Sequence, residues 1–193
     1  LDYAHGQGVS HRDIKPGNLL IDANANLWIT DFGLAQLQAD NGLTRSGDFL
    51  GTFRYMSPEQ TGGKRTMLDH RTDIYSLGAT FYELLTLHPA LPGETHQELL
   101  YSILHVEPVS PRQWNRAIPP EMETILLKAL AKHPADRYQT AAELSADVQR
   151  YLDHKPITAK PPSLYDHARK WIRRHPSIAV ASVLLLAVVT AGL

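Results

Sequence analysis

Two short strand-like runs, five residues apart, constrain this chain more than any other feature. Leu19-Leu20-Ile21 and Leu27-Trp28-Ile29-Thr30 flank Asp22-Ala23-Asn24-Ala25-Asn26, a stretch of turn formers. Closing this segment into an antiparallel hairpin determines what lies at its open end. Asn18 just precedes the first strand and Asp31 just follows the second, so the two must lie side by side. An amide oxygen and a carboxylate converging there suit a hard cation such as Mg²⁺, which keeps several waters and takes phosphate oxygens as its other ligands. Asp13, on the loop entering the hairpin, is a third oxygen donor, and Lys15 adds a positive charge two residues on. Metal, cation and a carboxylate to orient a hydroxyl are the parts that phosphoryl transfer needs.

The residues carrying this pattern are His11-Arg12-Asp13-Ile14-Lys15-Pro16-Gly17-Asn18, followed by Asp31-Phe32-Gly33. Together they resemble the catalytic and metal-binding loops of eukaryotic-type Ser/Thr protein kinases. Either string alone is a weak signal; their joint spacing, with Lys15 and Asn18 in register, is a specific one. The pattern continues. Gly51-Thr52-Phe53-Arg54-Tyr55-Met56-Ser57-Pro58-Glu59 resembles the end of an activation segment, with Ser57 where Ala is commoner. Asp73-Ile74-Tyr75-Ser76-Leu77-Gly78 resembles the start of the central C-lobe helix, and His133-Pro134-Ala135-Asp136-Arg137-Tyr138 a late motif of the same lobe. The resemblance covers residues 1–152 and is greatest to bacterial kinases that carry a membrane anchor after the kinase domain.

The resemblance implies a role for each residue. Asp13 would be the catalytic carboxylate; such a group is ionised at neutral pH, so position matters more than basicity. Lys15 would neutralise charge on the transferring phosphoryl group of ATP, and it marks Ser/Thr rather than Tyr specificity. Asn18 and Asp31 would hold Mg²⁺, and with Lys15 they make up the cofactor-binding set. His11 and Phe32 read as packing residues that align the site. Asp73, at the entrance to a helix that is apolar almost all round (Ile74, Leu77, Gly78, Phe81, Leu85), must be paired or hydrogen-bonded. The resemblance makes it the holder of the catalytic-loop backbone. Glu59 and Arg137 are expected to form a buried ion pair. Arg12 implies an activation segment ordered by a phosphate, for which Thr44 and Ser46 are the candidates, while Thr52 is expected on Asp13 and Lys15.

Further along, Glu121 to Leu130 presents Met122, Ile125, Leu126, Ala129 and Leu130 on one face. Thr140-Ala141-Ala142-Glu143 is a capping-box signature opening a helix with Leu144, Val148, Tyr151 and Leu152 inward.

Composition separates this body from the C-terminal tail. The 193 residues are 43% hydrophobic and 20% charged, with 19 Lys and Arg against 20 Asp and Glu. That excludes a disordered, collagen-like or heavily basic nucleic-acid-binding chain. The absence of cysteine excludes disulfides and thiol chemistry. Residues 1–152 hold 13 basic and 18 acidic side chains, a net of −5; residues 153–193 hold 6 and 2, a net of +4. From Asp153 the chain is Pro- and Lys-rich, reading as a basic juxtamembrane linker over 153–176. Arg169, Lys170, Arg173 and Arg174 then precede an uncharged run, 177–193, expected to be a transmembrane helix with Trp171 near the interface. Ile178 to Leu193 would span only about 24 Å as a helix, so the run is expected to continue.

The expectation is thus a mainly α, protein-kinase-like C-lobe with a small β-hairpin at the catalytic loop, then a linker and a C-terminal transmembrane helix. The chain reads as an internal piece of a single-pass protein of the inner or plasma membrane, with the kinase body cytoplasmic and no signal peptide at its start. Its partners would be protein substrates with Ser/Thr acceptors and the membrane, with no nucleic acid; self-association for autophosphorylation is left open. No glycine-rich phosphate loop and no Val-Ala-Ile-Lys-like strand occurs in these residues, so the N-lobe is missing and the piece alone is expected to be inactive. The alternative is a non-catalytic, kinase-like docking module on a membrane anchor. Four convergent polar groups, for which docking has no physical need, argue against it.

Overall fold

The hairpin forms. In the computed structural model, which describes residues 1–32, 51–61 and 68–161, β1 (Leu19–Ile21) pairs antiparallel with β2 (Leu27–Ile29), Leu19 opposite Ile29 and Ile21 opposite Leu27. Its turn is organised by one carboxylate. Asp22 accepts hydrogen bonds from the backbone N–H groups of Asn24 and Asn26, from the Asn26 amide and from the Trp28 indole. The Trp28 and Asn26 donors hold its carboxyl far below the usual range. At the open end, Thr30 N donates to Asn18 O at 3.0 Å, so the ladder closes on the residue expected to stand next to Asp31.

Before the hairpin, α1 (Asp2–Gly6) ends at Gln7, and Gly8 at φ 74° turns the chain away, a conformation glycine adopts without steric cost. After the hairpin come α2 (Pro58–Thr61), α3 (Arg71–Thr86), α4 (His96–His105), α5 (Pro111–Trp114), α6 (Pro120–Ala129) and α7 (Ala141–Leu152). The arrangement is mainly helical with one two-stranded sheet among the described residues.

The central helix is α3. Ile74, Tyr75, Ala79 and Tyr82 are buried on it, and its buried hydroxyls Ser76, Thr80 and Thr86 donate to the carbonyls four residues back, so they bring no unsatisfied group into the core. Gly78 permits a close approach to α6: a Cβ placed there would lie 2.9 Å from Ala129 Cβ. Ile74, Ile125, Ala129, Tyr138 and Leu144 form one core cluster, and Tyr75, Ala79, Tyr82, Ala90 and Leu130 a second. The last turn of α3 departs from the expectation of a helix buried all round. Leu84 and Leu85 are exposed there, although α5 packs against the same helix and Asn115 Nδ2 reaches Leu85 O at 3.5 Å.

The α7 helix also differs in detail. Thr140 accepts from Glu143 N as a capping box requires, but the Glu143 carboxylate reaches back to Gln139 N, one residue before the cap. Leu144, Val148 and Tyr151 face the core, whereas Leu152 is exposed. The place beside them is filled by Ile157 and Ala159 of the following segment. The folded unit therefore runs from Leu1 to Ala159, so the first residues of the expected linker pack onto the body.

Residues 177–193, expected as a membrane helix, lie outside the described residues, as do Gly33, Thr44, Ser46, Arg169, Lys170, Trp171, Arg173 and Arg174. Among the described residues no helix is long and apolar enough to cross a membrane.

Candidate active site

The loop between α1 and β1 is built on a buried carboxylate. Asp73, in the first turn of α3, has no solvent exposure. Its Oδ2 accepts from His11 N at 2.7 Å and its Oδ1 from Arg12 N at 2.7 Å. His5 Nε2 donates to Oδ2 at 2.8 Å. Three donors on one carboxylate satisfy a charge that would otherwise be costly to bury. They also tie the loop to the rigid helix. His5 has no local sequence signature for this role; its partner lies 68 residues away.

His11 is fully buried and clamps the loop to the hairpin. Its Nε2 meets Thr30 O at 2.7 Å and its Nδ1 accepts from Asp13 N at 3.2 Å. One partner is an acceptor and the other a donor, so the ring carries its proton on Nε2. Phe32 packs on the same ring, with centroids 4.6 Å apart. His11 and Phe32 thus hold the loop and the end of the hairpin together.

Three of the polar candidates meet directly. Lys15 Nζ lies 2.8 Å from Asp13 Oδ2, and the half-buried pair also reaches Thr52, whose Oγ1 accepts from Lys15 Nζ at 3.2 Å. Asn18, buried at the end of a 3-10 turn (Pro16–Asn18), donates through Nδ2 to Asp13 O at 2.8 Å and to Asp13 Oδ2 at 3.2 Å. Asp31 is exposed, one residue beyond the Thr30–Asn18 bond, at φ 64°. The donor set offered here is one amide oxygen and one carboxylate. No cluster of three or more His, Asp or Glu able to hold a metal occurs among the described residues. That set fits Mg²⁺, which takes one or two protein oxygens and completes its shell with phosphate and water, rather than a metal needing an all-protein cage.

Farther from the loop, Glu59 of α2 and Arg137 form a two-point ion pair, Nη1 to Oε1 at 2.6 Å and Nη2 to Oε2 at 2.8 Å. The remaining Arg137 donors go to the carbonyls of Ala131, Arg71 and Lys132. Burial alone would raise the Glu59 carboxyl, but the Arg137 hydrogen bonds and charge outweigh it and hold it below the usual range.

The profile of the protein kinase domain matches residues 1–149. The chain belongs to the protein kinase domain family. Among its relatives, PknB of Mycolicibacterium smegmatis, a serine/threonine-protein kinase, is 41% identical over 152 residues, covering 78% of this chain and 24% of that protein. PrkC of Bacillus subtilis, also a serine/threonine-protein kinase, is 38% identical over 158 residues, covering 82% and 24%. The crystal structure of Rad53 1–466 in complex with AMP-PNP superposes with a TM-score of 0.58 at 32% identity, covering 74% of this chain and 34% of that one. The chain spans about a quarter of the length of the curated relatives it matches. The bacterial Ser/Thr kinases are thus the branch to which this kinase domain is similar.

Proposed function

We propose that this chain is the C-lobe of a Ser/Thr protein kinase that transfers the γ-phosphate of ATP to Ser and Thr hydroxyls of protein substrates in signal transduction. The observation that carries this reading is the convergence on Asp13: Lys15 and Asn18 both bind its Oδ2, at 2.8 and 3.2 Å. With Oδ2 so committed, Oδ1 is the oxygen that orients the substrate hydroxyl and takes its proton as the new O–P bond forms and the bond to the departing ADP oxygen breaks. Lys15 holds positive charge beside the transferring oxygens, and its bond to Thr52 brings the substrate-side segment against the loop. Asn18 and Asp31 are the residues that would hold Mg²⁺, which when bound neutralises the phosphate charge.

The same reading makes residues 160–176 a basic juxtamembrane segment and 177–193 the start of a membrane span, with the kinase body on the cytoplasmic side. The uncharged run and the four basic residues before it support that orientation. Arg12 supports activation by phosphate on Thr44 or Ser46.

The test is transfer from labelled ATP by the full-length protein, with Asp13→Asn as control. Incorporation abolished by that change is expected; none from either protein, with no binding of Mg²⁺-ATP, would favour a docking module instead. The 193-residue chain alone, which has no glycine-rich loop in its sequence, is expected to transfer nothing. Extraction of the full-length protein only by detergent is the expected sign of the anchor, and full release by high salt overturns it.

A further inference from the structure

We infer that Gln60 is a positioning residue that holds the Arg12–Asp13 peptide, and so the Asp13 carboxylate, in place; this rests on the kinase reading above. Arg12 sits at φ 67°, a region that a non-glycine residue keeps only when its surroundings over-determine it. Three side chains do so. Asp73 takes the Arg12 N–H, and His11 Nδ1 takes the Asp13 N–H. The carbonyl between them accepts from Gln60 Nε2 at 2.8 Å. Both polar groups of the peptide entering Asp13 are therefore fixed, and Gln60 is the holder of its carbonyl, reaching it from the residue that directly follows Glu59.

The Gln60 amide can work in one orientation only. Its Oε1 accepts from Ser57 N at 2.9 Å, so its NH₂ must be the end that meets the carbonyl. Ser57 is fully buried and its hydroxyl bonds to Thr72, whose Oγ1 lies 3.2 Å from Glu59 Oε1. Thr72 gives its one proton to Glu59 and Ser57 Oγ gives its own to Thr72, so the connection from the Glu59–Arg137 pair to the peptide that carries Asp13 passes through the Ser57 backbone, whose N–H donates to Gln60 Oε1. A hydrophobic side chain at position 60 would end it, and alanine at position 57 would thin it.

The test uses the full-length protein as wild type, Gln60→Ala and Gln60→Glu. A misplaced catalytic group costs up to about 100-fold, so kcat is expected to fall by about 10- to 100-fold with KM for ATP and for peptide unmoved and the thermal transition retained. Gln60→Glu, which sets two oxygens face to face, should fall further than Gln60→Ala. Wild-type kcat in both variants overturns the inference, as does a loss confined to KM or to folding. Hydrogen exchange supplies a readout independent of turnover. Faster exchange of the Arg12 and Asp13 amides in Gln60→Ala, with α3 unchanged, supports the inference, and unchanged exchange refutes it. Either result stands even if the wild-type protein transfers no phosphate and the kinase reading itself falls.

Discussion

Arg137 and Glu59, 78 residues apart in sequence, share two parallel hydrogen bonds, and the Arg137 side chain is wholly buried. The guanidinium lies 4.9 Å from the centre of the Tyr75 ring and has a carbonyl for each remaining donor direction. One residue thereby joins the end of the activation segment, the start of α3 and the turn after α6.

Removing one partner strands the other charge. Arg137→Met should destabilise the domain by about 3–5 kcal/mol, the cost of an uncompensated buried charge. Melting of the full-length protein should fall by on the order of 10 °C for a domain of this size. A change within about 1 kcal/mol would place the pair with ordinary surface salt bridges.

The same pair sets an acid limit. The folded Glu59 carboxyl titrates below its ordinary value, so its contribution is present in full above the unfolded pKa of about 4.3. It is lost as pH falls through the lower folded value. Wild type should lose stability over that acid window, and Glu59→Gln, already destabilised, should lose less there. Parallel melting curves against pH for the two proteins would contradict this.

Asp73 allows a sharper test of the loop. Asp73→Asn places an NH₂ against at least one of its three donors, His5, His11 N or Arg12 N. A hydrogen bond to a charged group contributes about 1.5–3 kcal/mol, so the loop should loosen by a comparable amount. Amide exchange of His11 and Arg12 should rise well before that of Ile74 or Tyr75. Equal protection of the loop in both proteins would show that Asp73 does not hold it.

Some of these relationships can be read from sequence and some cannot, for a physical reason. The hairpin follows from local periodicity and turn chemistry, and it carries Asn18 to Thr30 without further information. Thr95 and Glu98 form a full capping box at the start of α4, and that signature is equally local. The Asp73 and Arg137 contacts come from the family resemblance, since no local rule brings residue 59 to 137. His5 and Gln60 belong to neither class. Each is an ordinary polar residue whose partners are fixed only when distant segments pack. Leu152 fits the inward stripe of α7 by spacing alone; the structure places Ile157 and Ala159 in that layer.

Gly78 should tolerate no side chain. Gly78→Ala puts a methyl group 2.9 Å from Ala129 Cβ, inside contact distance, so α3 and α6 must separate. Overpacking of this kind costs about 1–3 kcal/mol. The compensating change Ala129→Gly should recover part of the loss, giving a coupling energy above about 0.5 kcal/mol in a double-mutant cycle. Additive effects would mean that the two helices do not meet there.

The exit from the folded unit depends on Asp147. Its Oδ1 accepts from Thr158 N and Oγ1 at 2.7 and 2.6 Å, and its Oδ2 from Ala159 N and Tyr138 Oη at 2.9 Å. Burial would raise this carboxyl, but the Thr158 donors outweigh it and hold it below the ordinary range. The tether is therefore complete above the unfolded pKa of about 3.9 and is lost as pH falls through the lower folded value. Asp147→Asn replaces one acceptor with an NH₂ that faces donors, so at neutral pH the Thr158 and Ala159 amides should exchange faster while those of α3 do not. Wild type should show the same release only in acid. If the two amides stay protected in Asp147→Asn, the packing of Ile157 and Ala159 alone holds the segment, and this carboxylate is not what ties it to the body.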